Sequence, residues 1–142
     1  VISSRADSDA DRVLAGDLRV IARMVGESMS AAATIRIAAG ERVIAAASFG
    51  RPECPRTGLE CPTASVSVPL PVDEHRSGVL CLHHDRPFRQ SAPVAELLPR
   101  VGAQIGRLVR LGEPADEPFY ETMAALSRTI RRRDLTILGR PA

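Results

Sequence analysis

A chain of 142 residues, 44% hydrophobic and 25% charged, is long enough for one core and too apolar to stay disordered, so one domain with one site is expected. Its 19 basic residues are all arginine and are scattered among 17 acidic ones, so a net charge of +2 provides no field that favours nucleic acid or a membrane surface. No run of about 18 apolar residues exists to cross a bilayer, and no basic leader with an apolar stretch and a cleavage site argues for export, which leaves the cytoplasm as the expected compartment. The absence of lysine beside abundant alanine reads as codon pressure in a GC-rich genome and suggests a bacterial source. The opening Val1 and the polar close suggest a piece of a longer protein.

In chain order, Asp9 or Asp11 can cap a first helix over 10–28, whose apolar positions Leu14, Leu18, Ile21 and Val25 recur at helical spacing. Gly26 and the small polar run 28–30 end it. Residues 33–38 read as a strand, turned at Ala39-Gly40-Glu41 into a second strand over 42–49, which makes a hairpin. Pro52, Pro55, Gly58 and Pro62 forbid regular structure in the next stretch. Alternation of Val66, Val68 and Leu70 with Ser65, Ser67 and Pro69 marks a third strand, a polar turn follows at 73–77, and 78–84 is a fourth strand. Pro87 ends it, and Pro93 opens a long helix.

In that helix Val94, Leu98, Val101, Ile105 and Leu108 recur at intervals of four and three, an apolar seam that packs helix on helix or helix on sheet. Residues 113–117 form a linker, and Phe119, Met123, Leu126 and Ile130 repeat the spacing on a last helix over 119–133. The order of elements predicts an α+β domain over 1–112, an antiparallel sheet with helices packed on one face, followed by a linker and an amphipathic helix over 113–142.

Within 65–111 the apolar strand ending Val68-Pro69-Leu70, the short turn, the strand Gly78-Val79-Leu80-Cys81-Leu82, the segment Pro87-Phe88 and the long closing helix resemble the second half of a GAF domain. The first helix and hairpin fit the family's first half by their order. The resemblance implies a GAF/PAS-like sheet with one face on a helical dimer bundle and the other holding a small ligand under loops. It also implies a non-catalytic sensory or regulatory module of a bacterial signalling protein. Such a module forms a homodimer and relays a signal to a neighbouring effector domain. The dimer seam would run along Leu14, Leu18, Ile21 and Val25 of the first helix and Val101, Ile105 and Leu108 of the closing one, with the last helix as output. One departure counts: 50–64 holds fifteen residues where the family has a much longer pocket-covering segment. A good site buries most of its ligand, so the family's nucleotide, haem or bilin route is not implied here.

Chemistry-bearing side chains gather around that shortened loop. It carries Cys54 and Cys61, and strand alternation puts Cys81 and His83 on one face with Val79, opposite Leu80 and Leu82. Three readings stand. Two thiolates of the loop with Cys81 and His83 are a donor set for tetrahedral zinc, although their spacing is no recognised zinc signature. Cys54 and Cys61, with Arg51 and Arg56 close in sequence, form a thiol-redox switch. Or Cys81 is a small buried hydrophobe and the other two are incidental thiols. A fourth, catalytic reading takes the three cysteines as those of a GAF-type free methionine sulfoxide reductase, but their positions do not align with that set. The pair His83-His84 fits either a ligand role or a strand-end structural role. His75 sits in a turn, Asp73 and Glu74 lack a partner for acid-base work, and Arg131, Arg132 and Arg133 read as a solvated helix end rather than a nucleic-acid contact.

Overall fold

A computed structural model of the chain describes residues 2–50, 63–85 and 88–138, and within these the side chains of 12–130. Helix α1 spans Ile2–Met29. It begins well before the expected position 10, and Asp9 and Asp11 lie inside it rather than at its cap, because no proline or glycine occurs before Gly16 to stop the helix. Ser30 ends it in the left-handed conformation (φ 52°), and the N–H of Ala31 closes the last turn on the carbonyl of Gly26 at 3.0 Å.

Strands β1 (Ala32–Ala39) and β2 (Arg42–Phe49) form the expected hairpin around Gly40, whose φ of 62° suits glycine. Its register shifts between Ile37 and Ala38, where Ile44 is passed over. Strands β3 (Val66–Pro71) and β4 (Arg76–His83) follow. Strand β4 starts two residues earlier than the sequence predicts. The Asp73 carboxylate accepts the backbone N–H groups of His75 and Arg76 and pairs with the Arg76 guanidinium at 2.8 Å, which shortens the turn. The four strands form one antiparallel sheet in the order β2-β1-β4-β3.

Helix α2 spans Ala92–Leu111, with Ser91 as N-cap, Pro93 in its first turn and left-handed Gly112 at its close. Helix α3 runs over Glu117–Leu138. Asp116 opens it by accepting the N–H of Phe119 at 3.1 Å and ties it to α2 through a 2.8 Å ion pair with Arg107. Helices α1 and α2 cover one face of the sheet, and α3 lies against both of them. Phe119, Met123, Leu126 and Ile130 of α3 join the same core as Ile35, Ile37, Leu80 and Leu82 of the central strands, so the segment expected as linker and appended helix is built into the domain.

The expected dimer seam is corrected by this packing. Leu18, Ile21, Val25, Val101, Ile105 and Leu108 are each no more than 1% exposed within the single chain, and Leu14 is half-buried against the same core. Side chains already spent on the sheet and on α3 have no surface left for a second copy, so the seam is an internal one.

On β3, Pro69 and Pro71 have no N–H to offer a neighbouring strand. Helix α2 also lies close along this strand, because Gly102 and Gly106, one turn apart, bring its backbone against the carbonyls of Pro69 and Pro71.

Candidate functional site

The sheet face away from the helices carries a polar row across all four strands. Ser48 of β2 pairs with Thr34 of β1, Thr34 with Cys81 of β4, and Cys81 with Ser67 of β3. The hydroxyls of Thr34 and Ser48 are 3.3 Å apart. Cys81 and His83 share this face, as strand alternation requires, while Leu80 and Leu82 point into the core. A sheet face away from the helices is ordinarily solvated. Here Thr34 and Cys81 are 3% exposed and His83 5%, so the middle of the row is withdrawn from water.

Beside His83 an open cleft of about 300 Å³ is lined by Ser30, Ala31, Ala32, Gly50, His83 and Asp85. Its shape depends on two left-handed residues at the sheet's end. Ser30 turns the chain out of α1, and Gly50 (φ 87°) leaves β2 so close to β1 that an added Cβ would lie 3.1 Å from the Cβ of Ala32. An imidazole, a carboxylate and apolar alanine surface suit a small polar ligand at the lower end of ordinary pocket size.

His84 closes the strand end. The Ser65 hydroxyl donates to the carbonyl of Leu82 at 2.8 Å and accepts the backbone N–H of His84 at 3.2 Å. Its Oγ also lies 2.6 Å from His84 Nδ1. The ring stacks on Phe88, centroids 4.0 Å apart and planes 7° from parallel. Burial holds the His84 pKa below the ordinary histidine value. The backbone of Met29 and the carboxylate of Asp85 act in the opposite direction, and His83 adds to the lowering. Of the two roles open to the His pair, His84 takes the structural one and His83 borders the cleft.

Cys54 and Cys61 lie outside the described residues, so neither the four-donor zinc set nor the loop disulfide has a geometry here. Among the described residues no group of three or more His, Cys, Asp or Glu side chains comes together to hold a metal. Cys81 and His83 by themselves supply two neighbouring donors, and a tetrahedral zinc needs two more. Cys81 is a buried thiol, which fits a small core residue better than an oxidant-facing one. His75 is exposed in its turn, and Asp73 serves that turn, its carboxyl held below the usual range first by the Arg76 side-chain hydrogen bond. Arg131, Arg132 and Arg133 fall within α3, with side chains outside the described set.

Sequence reasoning found Cys81 and His83 through alternation but missed Ser65 and Asp85. Ser65 meets His84 only through the β3–β4 register, and no local pattern signals that. Among the described residues no helix is long and apolar enough to cross a membrane. Comparison of the chain with protein-family models, with curated proteins and with solved structures finds no match in any of the three.

Proposed function

We propose that the chain is a non-catalytic sensory or regulatory module of the GAF type, which works as a pair and relays a change at its outer sheet face to a neighbouring effector. The observation that carries this reading is the two-sidedness of the central strands. Strands β1 and β4 present Thr34, Cys81 and His83 to a water-poor face with an adjoining cleft, and their alternate residues Ile35, Ile37, Leu80 and Leu82 to the helices. The cleft also touches the end of α1 through Ser30 and Ala31, and α1 in turn lies against α3. An occupant beside His83 therefore contacts both the central strands and the helix that supports the C-terminal one, which supplies the contiguous path that a relay requires.

Native mass spectrometry of protein purified without chelator tests the reading. Expected is a retained small molecule that Ala32→Phe, which fills the cleft, displaces. Protein that emerges without a companion mass and shows no thermal shift across a small-metabolite panel would count against a ligand-sensing role.

A second reading, a thiol or zinc sensor in the same fold, is favoured by one observation: Cys81 and His83 are neighbours on the same face and are both buried. The same spectrum separates the two. One zinc per chain, lost on Cys81→Ser and on Cys54→Ser, supports the metal reading, and zinc-free protein removes it.

A further inference from the structure

Strand β3 closes its edge of the sheet with two prolines and with α2 lying along it. Strand β2 does not: 43–49 holds no proline and no charged residue, and among the described residues no strand lies beyond it. The ladder register fixes which of its backbone groups face outward. Opposed residues of an antiparallel pair turn their N–H and C=O groups either toward each other or away from each other, in alternation along the ladder. Pro69 has no N–H and stands opposite Val79, so that pair is turned away. Val79 therefore bonds to Arg36 of β1, Ile35 and Ile37 face β2, and Ala47 answers Ile35. By the same alternation Ala46 and Ser48 direct their N–H and C=O groups past the edge. An extended edge of this kind is a template for a further strand.

Charge decides what that strand carries. Helix α1 packs beneath β2, and Gly26 marks the side of the helix turned to it, since an added Cβ would run into the ring of Phe49. Arg19 and Arg23, seven and three positions before Gly26, stand on this same side and are exposed. Arg42, also exposed, opens β2. Arg23 is engaged by Glu27 at 2.8 Å, whereas Arg19 and Arg42 have no ion pair among the described residues. Set against Glu27 and Glu41, the three arginines leave this rim net positive. We infer that β2 takes up an extended acidic segment of a partner protein as a further strand, its backbone paired with Ala46 and Ser48 and its carboxylates near Arg19 and Arg42. A second copy of this chain fits the edge poorly. Pairing β2 with β2 about a twofold axis would set the two α1 helices side by side, with Arg19 and Arg23 of each facing those of the other, like charge against like. The inference goes beyond the sensory reading and needs no occupant in the cleft beside His83.

Fluorescence anisotropy of the full chain with two peptides as long as β2, one alternating Val and Glu and the other Val and Lys, tests this, together with amide hydrogen exchange read by NMR. The Glu peptide is expected to bind about tenfold more tightly than the Lys peptide at low salt, an advantage that shrinks as salt screens the surface charges. It should slow exchange at Ala46 and Ser48 and leave Ser67 on the opposite edge unchanged. Arg19→Glu with Arg42→Glu, both at exposed positions and checked for fold by circular dichroism, should reverse the preference. N-methylation of one alternate set of the Glu peptide's amides should abolish binding and of the other set spare it, with the protein untouched. Equal affinity for the two peptides, binding indifferent to either N-methylation, or no binding at all overturns the inference. So do Ala46 and Ser48 amides that already exchange slowly in the free chain, which would mean a covered edge. Their protection by rising protein concentration alone would give the edge to a second copy and overturn the acidic partner.

Discussion

The Nδ1 atom of His84 lies 2.6 Å from the hydroxyl of Ser65, a residue nineteen positions earlier that enters on the neighbouring strand. One side chain thus fastens the start of β3 to the end of β4, and it also holds the carbonyl of Leu82. Ser65→Ala removes the shared partner of all three contacts and is expected to cost about 1–2 kcal/mol in urea unfolding, the size of one or two hydrogen bonds at a part-buried site.

The same ring makes stability depend on pH. Burial depresses the His84 pKa in the folded chain below its unfolded value near 6.5, so the unfolded chain binds more protons at mildly acid pH. The contribution is therefore complete above about pH 6.5 and is lost as pH falls through the folded-state value. Unfolding curves at neutral pH and at successively lower pH should show this loss, and His84→Phe, which keeps the stack on Phe88 without a titrating group, should flatten it. A slope unchanged in that variant would assign the titration to another group.

Gly106 is expected to tolerate no side chain. Alanine favours a helix over glycine by about 1 kcal/mol, yet a Cβ at Gly106 would collide with the carbonyl of Pro71, a backbone atom that cannot swing aside. Overpacking costs about 1–3 kcal/mol, so Gly106→Ala should be destabilising on balance. Its midpoint in chemical denaturation, beside that of Gly16→Ala, where an added Cβ meets nothing within 4 Å and the change should stabilise the helix, gives two glycines of one chain with opposite signs.

Phe119 is fully buried where α3 meets the core. Phe119→Ala is expected to cost about 3–5 kcal/mol, and unfolding should remain a single transition because α3 belongs to the domain. Two separated transitions, or a loss below 1 kcal/mol, would mean that α3 is an appended helix.

The thiol of Cys81 should react with an aromatic disulfide reagent only as fast as the chain opens, being 3% exposed beneath the outer face. In a Cys54→Ser, Cys61→Ser chain, the expected reaction is slow in buffer and immediate in denaturant. Rapid labelling of the native protein would show that this face is open to water and would return the thiol-switch reading to Cys81.

Much of the fold was legible in the sequence by itself, because alternation in strands and the 3.6-residue period of helices are set by local backbone geometry. The four strands, the α2 helix with its Pro93 opening, and the common face of Cys81 and His83 all follow from neighbours along the chain. What only the tertiary structure decided concerns partners distant in sequence. An apolar stripe records that it is buried but not what buries it, so Leu18, Ile21 and Val25 read equally well as a dimer seam or as a core, and the sheet and α3 made them core. The start of α1 was misplaced for a related reason: a polar run without proline or glycine extends a helix only once the core-facing half has nucleated it. Register brought Ser65 to His84, a contact that no pattern of neighbours along the chain announces.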